Sequence, residues 1–277
     1  MGVINVTPDS FSDGGLFLDP GAAIAQGRQL AAQGAHLLDV GGESARPGAE
    51  GVTAAEELAR ALPVVEALAG VEGPGLPVSI DTSKRAVAEA AIGAGASIVN
   101  DITALRADPE LAAVCAAAGV EVCLMHMQGE PRTMQENPTY DDVVDDIKTF
   151  LAERIEFATS EGIAEERIWV DPGIGFGKTL EHNLELLRRL GELRELGRPI
   201  LVGTSRKSFI GKLTYADVDQ RLGGTIASNV LAYARGAEIL RVHDVGPVRE
   251  ALIAAEAILD PERAAAVGER PLGSPLG

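Results

Sequence analysis

Polar residues able to do chemistry recur at the ends of short apolar runs: Asn5, Asp39, Asp81, Asn100 with Asp101, His126, Asp171, the stretch 204–208, and Arg241 with His243 and Asp244. One such aspartate alone serves equally well as the cap of the next helix. Together the series mixes carboxylates, amides and cations in a way that capping does not require. Asp81, Asn100 and Asp171 suit a planar heterocycle with an amino group beside a ring NH, because two parallel hydrogen bonds to one carboxylate fix position and orientation together. Purine-like and pterin-like edges have that pattern. Arg241 and His243 stand two apart, hence on one face of a strand, and Arg206 and Lys207 come from the preceding loop. In a chain of net charge -17 this cluster reads as an anion pocket.

Such residues need a scaffold that gathers strand ends. Apolar runs predict eight strands, at 2–5, 36–41, 78–81, 97–101, 121–126, 168–171, 199–203 and 239–244. Alanine- and leucine-rich segments with helical spacing lie between them, as at 22–32, 54–69, 85–94 and 180–196. Glycines at 34, 95, 119, 162, 197 and 236 end helices before the next strand. Eight strand–helix units in 277 residues fit an α/β fold of the closed (β/α)8 TIM-barrel type, with eight parallel strands and outer helices. A doubly wound open sheet is the other candidate, but the GxGxxG first loop that it favours is absent. In a barrel, active residues sit at the carboxyl ends of the strands. The opening stretch 1–15 has this form, an apolar run followed by turn formers, hydroxyls and carboxylates. Residues 1–269 are expected to form one catalytic domain, and 270–277 a disordered tail.

Composition narrows the partners. The acidic balance argues against nucleic acid or an anionic membrane surface, both of which require a basic face. No run approaches the roughly 18 apolar residues of a membrane span, and the first residues lack the pattern of a secretory signal, so a cytoplasmic location is expected. Cys115 and Cys123 are the only cysteines and read as buried, reduced thiols. The run 173–178, GIGFGK, lacks the spacing of a phosphate loop and reads as a tight loop that lets a ring approach backbone, with Phe176 as a stacking wall. A second polar, glycine-containing loop spans 41–48. Met125, His126 and Met127 line a pocket or pack in the core. His36 and His182 lie at the wrong end of a strand or in a helix, and Asp141, Asp142, Asp145 and Asp146 read as the solvated start of a helix. No dedicated metal motif is present, although magnesium held mainly by substrate phosphates leaves little trace in sequence.

The motifs resemble those of the dihydropteroate synthases, a family of pterin-binding enzymes. The likeness lies in NVTPDSFSDGG at 5–15, DVGGES at 39–44, RPG at 46–48, DTSK at 81–84, Asn100-Asp101, LMHM at 124–127, DPG at 171–173, SRKS at 205–208 and RVHD at 241–244, and it covers almost the whole chain in order. The resemblance implies a barrel enzyme of folate synthesis that condenses 6-hydroxymethyl-7,8-dihydropterin diphosphate with p-aminobenzoate, releasing pyrophosphate and 7,8-dihydropteroate. It further implies that Asp81, Asn100, Asp171 and Lys207 hold the pterin, with Met125, Phe176 and Gly203 around it. Asn5, Arg241 and His243 would receive the diphosphate, and Asn5 would also touch Mg2+. Phe11, Arg46, Pro47, Lys207 and Ser208 would form the p-aminobenzoate site, which sulfonamides also occupy, while Asp13 orders the closed first loop. Asp81, Lys207, Arg241, His243 and Asp13 are thus the expected catalytic set, and a homodimer the expected assembly. Ala45 stands where the family commonly has threonine, removing one hydroxyl from the aryl-amine subsite. Family members usually carry fifteen or more residues before the first strand, so a start upstream of residue 1 is expected. A pterin-dependent methyltransferase shares the barrel and the pterin carboxylates but needs neither the first loop nor SRKS, and a catalytically silent pterin-binding paralogue is the reading from a different class.

Overall fold

The computed structural model describes residues 1–7, 20–45 and 48–260. Six strands form one parallel sheet in sequence order: β1 (Gly2–Asn5), β2 (Leu38–Gly41), β3 (Val78–Asp81), β4 (Ile98–Asp101), β5 (Glu121–Met125) and β6 (Ile168–Asp171). Two shorter ones, β7 (Leu201–Val202) and β8 (Ile239–Leu240), pair with each other. Two bridges close the ring. Val170 pairs with Ile200 and Gly2 with Val242, through hydrogen bonds from Val170 N–H to Pro199 O (2.9 Å) and from Val3 N–H to Val242 O (3.0 Å). The expected eight-stranded barrel is therefore present, with β7 and β8 shorter than their apolar runs suggested.

Helices α1 (Pro20–Ala32), α2 (Ala54–Ala69), α3 (Arg85–Gly93), α4 (Glu110–Ala118), α5 (Val143–Ser160), α6 (Leu180–Arg188), α7 (Ser208–Thr214), α8 (Leu222–Ala234) and α9 (Val245–Leu259) lie between and after the strands. Local chemistry starts and stops them. Thr53 and Glu56 form a reciprocal capping box on α2. The six helix-ending glycines all have positive φ. The segment 180–196 is not one helix: α6 stops at Arg188, and a 3-10 turn, Leu190–Leu196, runs to Gly197.

Alternation along the strands divides the core in two. Ile4, Leu38, Val40, Ile80, Val99, Leu124 and Val170 point outward and pack in the main cluster with residues of the helices. Inside the barrel Met1, Ile98, Cys123, Trp169 and Leu201 form a separate apolar plug, with Leu37 and Ile239 against it. One step further along the same inward faces come Asp39, Asp81, Asn100, Met125, Asp171, Gly203 and Arg241. The polar mouth thus stands on an apolar floor. Both cysteines are buried and free, and burial pushes the Cys115 thiol up to about 12 and that of Cys123 well above its usual value.

Candidate active site

Strand register brings the mouth residues to one level. Asn5 lies beside Gly41, Gly41 beside Asp81, Asp81 beside Asn100, and Met125 beside Asp171. At the centre Arg241 spans two carboxylates, with Nε donating to Asp39 Oδ2 at 2.6 Å and Nη2 to Asp81 Oδ2 at 2.7 Å. Asn100 Nδ2 reaches the same Asp39 oxygen at 3.4 Å, while Asp39 Oδ1 is buried without a partner. Burial raises Asp81 to about 7; Arg241 pulls it down, and Asp39, Glu57 and Asp101 push it up again. For Arg241, burial is outweighed by Asp39 and Asp81, which hold the guanidinium charged.

Across the mouth, Asp171 Oδ1 accepts from Gly173 N–H at 2.7 Å, and burial raises its carboxyl against the pull of Lys207. Lys207 comes from the loop after β7, is half-buried, and donates from Nζ to Ile174 O. The same ammonium stands 4.7 Å from the centre of the Phe176 ring. Burial lowers Lys207 to about 8, partly offset by Asp171. Gly203 leaves room between these cations: a Cβ there would lie 3.7 Å from both Lys207 Nζ and Arg241 Cβ. Phe176 packs on a small cluster of Met125, Met127 and Met134.

On the β8–β1 side, His243 Nδ1 lies 3.0 Å from Ser205 Oγ, which also accepts from His243 N–H, and His243 Nε2 lies 3.5 Å from Asn5 Nδ2. Arg206 departs from the expected anion cluster. Its backbone is left-handed (φ 58), and its exposed guanidinium is paired to Asp244 at 2.5 and 2.9 Å, so it turns away while Lys207 turns in. Beyond Asp81 a cavity of about 890 Å³ opens between the loops after β2, β3, β4 and β5, bordered by Glu43, Ala45, Lys84, Arg106 and Met127. Lys84 ties these loops together, reaching Glu43 at 2.7 Å and the fully buried Glu57 at 2.5 Å.

Asn5, Asp81, Asn100, Met125, Asp171, Phe176, Gly203, Lys207, Arg241 and His243 therefore meet at one mouth, and Ser208 opens α7 on its exposed rim. Phe11, Asp13, Arg46 and Pro47 lie outside the described residues. His36 is exposed and His182 completes a capping box with Thr179, as befits residues away from the site. Asp142 caps α5 and is held low by Arg189. Sequence reasoning named Asp39 as a strand end, Ser205 within the stretch 204–208 and Lys178 within the tight loop 173–178, but assigned none of them a role of its own. Among the described residues no group of three His, Cys, Asp or Glu side chains could hold a metal, and no helix is long and apolar enough to cross a membrane.

A closed parallel barrel with a carboxylate–amide ring and two inward cations at its mouth defines a barrel enzyme for a polar heterocycle that carries an anion. The model of the family described as pterin binding enzyme matches residues 1–243. The dihydropteroate synthase of Escherichia coli K12 is 47% identical over 94% of this chain and 91% of that protein. Among solved structures, Yersinia pestis dihydropteroate synthase in a sulfonamide drug complex superposes with a TM-score of 0.89 at 46% identity, covering 93% of each chain. The Xanthomonas albilineans enzyme in complex with 7,8-dihydropteroate superposes at 0.82 with 44% identity, over 98% of this chain and 93% of that one. The chain belongs to the pterin-binding enzymes and, within them, to the dihydropteroate synthases.

Proposed function

We propose that this chain is a transferase that joins the methylene of 6-hydroxymethyl-7,8-dihydropterin diphosphate to the amine of p-aminobenzoate, releasing pyrophosphate. The observation that carries this reading is the junction, at one barrel mouth, of the Asp81–Asn100–Asp171 ring with Lys207 and the Arg241–His243–Asn5 side. Asp81, Asn100 and Asp171 bind the pterin edge, Met125 and Phe176 wall its faces, and Gly203 leaves the ring room. Lys207 stands between this subsite and the aryl-amine subsite, which Ser208 borders and to which Phe11, Arg46 and Pro47 are assigned.

Arg241, His243 and Asn5 receive the diphosphate. As the carbon–oxygen bond breaks, negative charge grows on the leaving group beside Arg241, and positive charge spreads into the pterin ring beside the Asp81 carboxylate. The aryl amine is neutral at cellular pH, so its attack requires alignment rather than a strong base. Asp13, outside the described residues, is assigned to the first loop by the family resemblance. One amide, Asn5, beside phosphate oxygens and water is a donor set that suits magnesium, which demands few protein ligands. Held there by Asn5, Mg2+ would supply positive charge against the departing pyrophosphate. Sulfonamides compete for the aryl-amine subsite, as suits the family.

The proposed unit is one domain spanning 1–269, cytoplasmic, working on small molecules without nucleic acid or membrane. A homodimer is supported by exposed Leu213, Tyr215, Leu222, Leu231 and Ile258 on or beside α7, α8 and α9. Crystals grown with the pterin diphosphate, magnesium and a p-aminobenzoate analogue test the placement. Pterin density on Asp81, Asn100 and Asp171 with phosphates at Arg241 supports it; pterin density elsewhere overturns it.

A further inference from the structure

Lys178 closes the loop from β6 to α6, and its side chain is only 3% exposed. Nζ donates to Phe176 O at 2.9 Å and lies 3.0 Å from His126 Nδ1 at the end of β5. A buried amine costs free energy that a methionine of similar length would not, so its bonds must hold something that packing alone does not. The loop it closes bends sharply at three glycines. Gly173, Gly175 and Gly177 all have positive φ, and a Cβ at Gly173 would fall 1.9 Å from His126 O and 3.4 Å from Lys178 Nζ. The amine thus lies directly beneath the turn that carries both Asp171 and Phe176.

Its neighbours complete the arrangement. Burial drives His126 down to about 2, which leaves the imidazole neutral against Tyr140 and Phe150. Burial also lowers Lys178, whereas Asp171 draws it toward the charged form and Lys207 opposes that. Asp171 thus has two lysines in its electrostatic surroundings, Lys207 at the mouth and Lys178 beneath the turn at Gly173. Lys207 belongs to the mouth itself, while Lys178 is fixed in the wall.

We infer that Lys178 is a positioning residue for the pterin subsite, tethering the Phe176 wall through its carbonyl and underlying the Gly173 turn whose N–H holds Asp171. The inference rests on the proposed pterin-binding role of Asp171 and Phe176. In that reading the hydrogen-bond partner of Lys178, Phe176 O, belongs to the pterin wall, so the loss of Lys178 should weigh on the pterin more than on p-aminobenzoate.

The full chain carrying Lys178→Met or Lys178→Gln tests this, with both substrates varied in steady state and the pterin diphosphate also titrated alone by calorimetry. Lys178→Met should raise the pterin diphosphate KM about tenfold, the scale of one lost hydrogen bond. Its kcat and the p-aminobenzoate KM should stay within about twofold. Lys178→Gln, which keeps a donor for Phe176 O, should recover part of the loss. Should Lys178→Met not fold, Lys178→Gln alone must show a pterin-selective shift for the inference to stand. A lowered melting temperature with unchanged pterin KM, or an equal rise in both KM values, overturns the inference. Wild-type protein without p-aminobenzoate-dependent turnover would instead overturn the proposed reaction, and the calorimetric comparison still decides the role of Lys178.

Discussion

Lys84→Met removes the cation that compensates Glu57. The Glu57 side chain is 0% exposed, its Oε2 receives Lys84 Nζ at 2.5 Å, and its Oε1 is buried without a partner. Removing one member of a buried pair strands the other, at a cost of about 3–5 kcal/mol. Lys84 itself is 27% exposed, and water can partly replace it, which places the expected loss near 3 kcal/mol. At about 2–4 °C per kcal/mol the melting temperature should fall by about 6–12 °C. The pair of variants Lys84→Met and Lys84→Met/Glu57→Gln separates charge from packing, since the double variant leaves no stranded carboxylate and should regain most of the loss. Thermal unfolding followed by circular dichroism reads both. The sign with pH is fixed by Lys84, whose pKa is raised because burial is outweighed by the hydrogen bonds that it donates to Glu43 and Glu57. Its contribution is complete below the unfolded lysine value of about 10.4 and fades as pH rises through the higher folded value. The contribution of Lys84 to wild-type stability should therefore not change from pH 6 to 9. A Lys84→Met melting temperature within about 2 °C of wild type, or a double variant as unstable as the single, would refute the reasoning.

The activity should depend on pH in a bell shape. Asp81, raised to about 7, must be ionised to accept from the pterin, and Lys207, lowered to about 8, must be charged to meet the substrates, so kcat/KM for the pterin diphosphate rises through the first value and declines above the second; a flat profile from pH 6 to 9 contradicts this. Asp171→Asn keeps an oxygen for Gly173 N–H but loses the charged acceptor, weakening pterin binding by about 1.5–3 kcal/mol, or roughly 10- to 150-fold in calorimetry, with the melting temperature little changed. Gly173→Ala combines φ 68 with a Cβ 1.9 Å from His126 O, and should cost about 1–3 kcal/mol of stability together with pterin affinity; thermal unfolding indistinguishable from wild type would show that the turn can relax.

Strand-end residues were legible in the sequence for a geometric reason. Asp81, Asn100, Asp171 and Arg241 end apolar runs, and the two-residue period together with barrel closure sends all of them inward to one level. The fold was readable from the same alternation and from helix-ending glycines. Where the reading failed, the information lay in other elements. Arg206 and Lys207 are chain neighbours of like charge, yet a left-handed φ at Arg206 and the carboxylate of Asp244 send them in opposite directions. The helical spacing of 180–196 continues past Arg188, but the segment tightens into a 3-10 turn across Gly191. Lys178 resembles a solvent-facing lysine until His126, just after β5, and the carbonyl of Phe176 enclose it. Asp39 gains its role only from Arg241, 202 positions away.

Pyrophosphate release by the purified protein, followed with and without p-aminobenzoate in the presence of the pterin diphosphate and magnesium, tests the central claim most directly. The account predicts release that requires p-aminobenzoate, matches 7,8-dihydropteroate formed one for one, and is inhibited competitively by a sulfonamide. No release, or release indifferent to p-aminobenzoate, would contradict it.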